Sequence, residues 1–205
     1  MLKKILFFAF VLLVAFVFVI WNFRESPMQR VARSFPGEGG CFDFGRALVV
    51  YYSLQGNTEE VALGLAHLTG ADLYEIETAR RYPATPKLYL TAYNELRRRQ
   101  YPALSGALPE VEGYDTVFVG APVWWFTVPP PMRAFLERFD FADRRVVPFC
   151  TSGGNEGDFF AHFEEQARNA RTLPGRAFAG VAKQKIRTVE RDAAVWLEEL
   201  QDGLR

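Results

Sequence analysis

Ala47-Leu48-Val49-Val50-Tyr51-Tyr52-Ser53-Leu54-Gln55-Gly56-Asn57-Thr58 is the stretch that decides the fold of this 205-residue chain. Its first half is a continuous apolar run, as expected of a strand buried on both faces. Its second half is a short polar loop with one glycine. A helix pattern begins at Asn57, with Val61, Leu65 and Leu68 on one stripe. In a strand–loop–helix start of this kind, backbone N–H groups at the helix N-terminus can surround a phosphate dianion, with hydroxyls from Ser53 and Thr58. Gly56 allows close backbone approach and positive φ. An ordinary helix start capped by Asn57 or Ser53 fits the same residues. The chain has no GxxxxGK[ST] and no GxGxxG, which argues against nucleoside triphosphates and NAD as the ligand of this loop.

Outward from this stretch, strands and helices alternate. Asp72 to Glu77 alternates polar with apolar and reads as an edge strand. Pro86 to Arg99 reads as a helix striped by Leu88, Tyr89, Ala92, Tyr93 and Leu96. Thr116 to Gly120 is a buried strand. Pro130 to Phe139 is a helix with proline in its first turn. Arg145 to Cys150 is a fourth strand, Phe159 to Asn169 a helix, Arg176 to Gly180 a short fifth strand, and Thr188 to Asp202 a terminal helix. This is an α/β pattern: a five-stranded parallel sheet, doubly wound, with right-handed crossovers. Ligands in such sheets bind beyond the carboxyl ends of the strands.

Two more loops stand at those ends. The third strand runs into Ala121-Pro122-Val123-Trp124-Trp125-Phe126-Thr127-Val128, and the fourth into Thr151-Ser152-Gly153-Gly154-Asn155-Glu156-Gly157-Asp158. Asp158 is placed to cap the following helix. With the loop after the first strand, these segments resemble the flavodoxin-like family, in its branch with a Ser-x-x-Gly-Asn-Thr phosphate loop. The likeness runs from about Ala47 to Gly180.

The resemblance implies strand order 2-1-3-4-5 and non-covalently bound FMN. Ser53, Gln55, Gly56, Asn57 and Thr58 would hold the phosphate. Pro122, Val123, Trp124, Trp125 and Phe126 would surround the isoalloxazine ring, a flat ligand suited to aromatic faces and backbone hydrogen bonds. Thr151, Ser152, Gly153 and Gly154 would hold its pyrimidine edge. Many carrier flavodoxins have a glycine beside the flavin N5, whose peptide turns when the flavin takes one electron. This chain has none between Pro122 and Thr127. Side-chain-bearing residues resist the turned backbone, so two-electron chemistry is expected.

The N-terminus follows a different pattern. Ile5 to Trp21 is uncharged and apolar on every face, after Lys3 and Lys4. At a rise of about 1.5 Å per residue such a run is just long enough to cross a thin bilayer. Residues 1–23 are expected to be an uncleaved transmembrane helix at the cell membrane, with a cleaved signal as the alternative. Lys3 and Lys4 on one side balance Arg24, Arg30 and Arg33 on the other, so charge does not fix the side of the membrane. Residues 24–45 read as a linker and 46–205 as the domain.

Formal net charge is zero, which offers no electrostatic footprint for nucleic acid. Cys41 and Cys150 are far apart, and no Cys/His grouping suggests zinc. His67 and His162 read as surface or interfacial residues. Arg97-Arg98-Arg99 suits a helix C-terminus, or a contact with anionic lipid or a partner. No side chain is singled out as catalytic, because flavin chemistry belongs to the cofactor. Two functions fit. One is an FMN-dependent oxidoreductase passing electrons from NAD(P)H to a quinone-like acceptor. The other is a membrane-tethered carrier that serves a redox protein. A flavin-free scaffold is a third, weaker reading.

Overall fold

A computed structural model describes residues 41–82, 87–181 and 186–204. The expected helix over residues 1–23 and most of the linker lie outside these. Among the described residues no helix is long and apolar enough to cross a membrane.

The elements follow in the order β1 (Ala47–Tyr51), α1 (Asn57–Thr69), β2 (Asp72–Glu75), α2 (Lys87–Arg98), β3 (Thr116–Pro122), α3 (Pro130–Leu136), β4 (Asp140–Ser152), α4 (Phe159–Glu164), β5 (Arg168–Thr172), β6 (Arg176–Ala179) and α5 (Ile186–Gly203). Every strand pairing in the sheet is parallel, in the order β2-β1-β3-β4-β5, with β6 also on β4. This is the expected order with one addition.

Arg168–Thr172, whose first two residues were expected to end the helix from Phe159, is a strand instead. It pairs with the first half of β4, Asp140 to Val146, and β6 pairs with the second half, Phe149 to Ser152. The two together form one interrupted fifth strand, broken at Leu173-Pro174-Gly175. Proline cannot donate to a ladder, so a break there is expected. The helix ends early, at Glu164. β4 is correspondingly longer than expected, starting at Asp140.

Residue alternation along the strands splits the core into two layers. Val49 and Tyr51 of β1, Phe118 of β3 and Val147 and Phe149 of β4 pack under α1 (Val61, Leu65) and α5 (Val189, Trp196, Leu197). Leu48, Val50, Val117, Val119, Val146 and Cys150 point the other way, onto Met132, Phe135, Phe159 and Phe163. Both faces of β1 are therefore buried, as its unbroken apolar run requires. Packing begins before Ala47: Phe44 is 1% exposed, and its carbonyl accepts from Thr116 Oγ1 at 2.8 Å and Arg145 Nη2 at 2.9 Å. The end of the presumed linker thus belongs to the domain. Helix α2 is the outlier. Of its predicted stripe only Leu88 and Ala92 are buried, while Tyr89 and Tyr93 face outward.

Candidate functional site

The loop after β1 owes its shape to Gly56, which precedes α1 at φ 87°, a left-handed conformation suited to glycine. No side chain caps α1. The alternative of an Asn57 or Ser53 cap is therefore not what forms. The first N–H groups of the helix carry no cap from a side chain, as a phosphate site requires.

Ladder hydrogen bonds continue past the strand ends and fix the loops. Tyr52 N–H donates to Gly120 O, Val123 N–H to Thr151 O, and Gly180 N–H to Ser152 O, each at 2.9 Å. Thr58 Oγ1 and Thr151 Oγ1 lie 2.8 Å apart, and both residues are buried. This bond joins the first loop to the third.

The three loops converge on one cavity of about 440 Å³, within the range typical of cofactor sites. Ser53, Gln55, Asn57 and Thr58 line it from the first loop, with Leu54. Pro122, Val123, Trp124 and Trp125 line it from the second, and Thr151, Ser152 and Gly153 from the third. Three expected residues stand outside its wall. Gly56 faces an adjoining cavity of about 400 Å³ and acts through its backbone. Phe126 lies beyond the rim, 60% exposed. Gly154 sits at φ 133°, in open space.

Besides Leu54, four wall residues from outside the three loops were not foreseen as such. Leu88 and Tyr89 come from α2; Gly180 and Val181 follow β6. Gly180, at φ 66°, directly follows β6, and a glycine at a strand end is a readable signal. Nothing local distinguishes Leu88 and Tyr89 from core positions.

The second loop is a tight hairpin. Trp124 and Thr127 exchange both backbone hydrogen bonds at 3.2 Å, leaving Trp125 and Phe126 as a two-residue turn at φ 54° and 59°. The turned backbone that these side chains were expected to resist is adopted by both. A primed turn demands positive φ at both central positions and usually takes Asn or Gly there. What holds it is tertiary. Asp158 N–H donates to Phe126 O at 2.9 Å, and Gly157 packs so close that a Cβ there would meet that oxygen at 2.4 Å. Asp158 does precede α4, although its side chain makes no cap bond. Behind the turn, Arg133 Nη2 donates to Thr127 Oγ1 at 2.6 Å, and Thr127 Oγ1 lies 2.7 Å from His162 Nδ1.

Trp124 is wedged edge-on between Tyr52 and Tyr82, with centroids 5.7 and 5.3 Å away. The Tyr82 hydroxyl donates to Glu95 Oε2. Burial, then the nearby carboxylates Glu75 and Glu95, pushes the Tyr52 phenol well above its ordinary value. Burial raises Glu95 as well, against the lowering effect of the Tyr82 bond. The 440 Å³ cavity itself is lined by no carboxylate, Lys or Arg among the described residues. A dianion there is met by backbone dipoles and hydroxyls.

The flavodoxin family profile matches residues 46–198. The chain belongs to the flavodoxin family. FMN, the cofactor of this family, is what the residues present fit. The chain offers an uncapped helix start with two hydroxyls for a phosphate, two indole side chains at the wall for a ring, and Gly153, whose missing Cβ leaves open space there.

Solved structures agree with this flavodoxin fold. A flavoprotein of Bacteroides uniformis is 28% identical with TM-score 0.60, covering 77% of this chain and 99% of its own. One from Bacteroides eggerthii is 29% identical with TM-score 0.60, covering 76% and 97%. A Lactobacillus acidophilus flavoprotein in complex with FMN shares the fold at 23% identity and TM-score 0.59, covering 64% and 91%. No curated protein matches the chain in sequence.

Proposed function

We propose that this flavodoxin is an FMN-dependent oxidoreductase, tethered to the cell membrane by its N-terminal apolar segment, that takes electrons from NAD(P)H and delivers them to a quinone-like acceptor. The observation that carries the FMN reading is the meeting of three loops on one cavity, with Thr58 bonded to Thr151 in its floor.

Bound FMN supplies the chemistry, accepting a hydride and passing on an electron pair. The chain binds and orients. Ser53, Asn57 and Thr58, with the start of α1, hold the phosphate. Trp124 and Trp125 offer aromatic faces to the ring, and Thr151, Ser152 and Gly153 offer polar atoms and open backbone to its edge. The Trp125–Phe126 turn supports a two-electron cycle: the Phe126 carbonyl already accepts from Asp158 N–H, so it is not free to follow a change in cofactor charge. Tyr89 and Trp125, which line the cavity yet remain exposed, suit a planar acceptor that arrives from outside.

The test is direct. Protein purified with FMN should be yellow and should consume NADPH steadily with a soluble quinone. Colourless protein in excess FMN overturns the cofactor reading. A yellow protein that consumes no NAD(P)H with any quinone, yet exchanges electrons with a redox protein, is a carrier instead.

A further inference from the structure

Seven large apolar side chains are exposed among the described residues, and five of them, Tyr89, Leu90, Tyr93, Trp125 and Phe126, belong to α2 and the second loop, with Tyr89 and Trp125 lining the cavity. They make one surface. The Trp125 ring lies 5.1 Å from that of Tyr93, and its Nε1 donates to Tyr89 O at 2.9 Å. Leu90 and Tyr93 share a face of α2, three residues apart. Arg97, four residues beyond Tyr93, continues that face, and Arg98 and Arg99 are exposed beside it. The one carboxylate on α2, Glu95, is turned to Tyr82. Asp158, whose N–H donates to Phe126 O, and Glu156 two residues before it are exposed on the Phe126 side. In a chain of zero net charge, this leaves an aromatic surface with Arg97 at one end and two further exposed arginines next to it in the chain. Two consecutive left-handed residues hold Trp125 and Phe126 outward, and backbone strain of this kind concentrates where it serves function.

We infer that this face rests on an anionic membrane surface, with its aromatic and leucine side chains at headgroup depth and Arg97 to Arg99 against lipid phosphates. Trp and Tyr favour the membrane interface, an apolar face beside cationic groups favours interfacial binding, and each Arg near an anionic surface is attracted to it. A bilayer suits this face better than a folded protein because, on the tether proposed above, the chain brings one within reach. Residues 24–40 span up to roughly 60 Å when extended, more than the roughly 43 Å of the 13-residue strand β4. The mouth can therefore meet the bilayer even though Phe42 pairs with Leu68 at the opposite end of the sheet. The consequence is an electron path from the cavity directly to an acceptor dissolved in lipid.

The fragment beginning at Cys41 contains the complete sheet and both core layers, and is the material for the test. Loaded with FMN, it should sediment with vesicles containing about one quarter phosphatidylglycerol and far less with phosphatidylcholine alone. The double variant L90E/R97E should bind roughly tenfold or more weakly, with FMN affinity and far-ultraviolet dichroism unchanged. Absence of vesicle binding, or undiminished binding by the variant, overturns the inference. A concentration-dependent dimer without lipid that L90E dissolves assigns the face to a second copy and also overturns it. The tether is tested apart from this: full-length chain released from membranes by alkaline carbonate removes the anchor and leaves the vesicle result standing.

Discussion

The hydroxyl oxygens of Thr58 and Thr151 lie 2.8 Å apart, although the residues are 93 positions apart in the chain. One lies in the first turn of α1 and the other near the end of β4, so a single buried bond sets the spacing of the loops after β1 and β4. T151V leaves the Thr58 hydroxyl without its partner, at a cost of about 1–3 kcal/mol in stability. FMN affinity should fall roughly tenfold in either single variant. The T58V/T151V double variant should lose less than the sum of the two. Urea midpoints and flavin titrations measure both; strict additivity would show that the two hydroxyls do not act together.

Phe126 is 60% exposed at φ 59°, where Asn is tolerated better than an aromatic residue. F126N should raise stability by about 1 kcal/mol by relieving the left-handed backbone. A lowered urea midpoint would mean that the phenyl ring contributes more through contact than its backbone costs.

Tyr82 holds Trp124 by its ring and Glu95 by its hydroxyl. Y82F keeps the first contact and removes the second. It should cost about 1 kcal/mol and push the Glu95 carboxyl further up, since the bond now lowers it. Y82A should weaken FMN binding more than Y82F, because Trp124 then loses one of its two flanking rings. Equal flavin affinities in the two variants would show that ring contact is irrelevant to the site.

The two thiols should differ sharply in reactivity. Cys41 is exposed, whereas burial, with Glu156 adding, pushes the Cys150 thiol up to about 12. The thiolate is the reactive form. Near pH 8 a thiol reagent should titrate Cys41 quickly and Cys150 only after unfolding. Two fast thiols in the native protein would place Cys150 in solvent.

Asp140 accepts from Ala142 N–H at 2.9 Å and from Asn169 Nδ2 at 2.9 and 3.1 Å, which holds its carboxyl below the ordinary range; Arg168 adds to this. A depressed folded value contributes stability above the ordinary carboxylate pKa, and this is lost as pH falls through the folded value. D140N should therefore lower the urea midpoint near pH 7, and the gap to wild type should narrow as pH falls below the ordinary carboxylate value. A constant difference across that range would mean the bonds do not depend on charge.

The sequence by itself determined the alternation of strands and helices, the burial of the apolar strand runs, and three polar or aromatic loops after β1, β3 and β4. These are local properties: a run such as Leu48-Val49-Val50 is buried on both sides wherever it sits, and Gly56 marks its turn without help. Four features were decided by tertiary structure alone. Arg168–Thr172 has no apolar alternation and is a strand only because β4 offers it a ladder edge. Leu88 and Tyr89 look like core positions on a helical stripe, and become cavity wall only because α2 lies beside the Trp125 turn. Trp125 and Phe126 would avoid positive φ in a free chain; Asp158 and the bare Gly157 hold them there. Thr58 and Thr151 stand in separate candidate loops in the sequence, and only chain folding brings their hydroxyls into contact. Periodicity records burial, which neighbours in sequence share, whereas pairing between distant segments depends on geometry that no single segment contains.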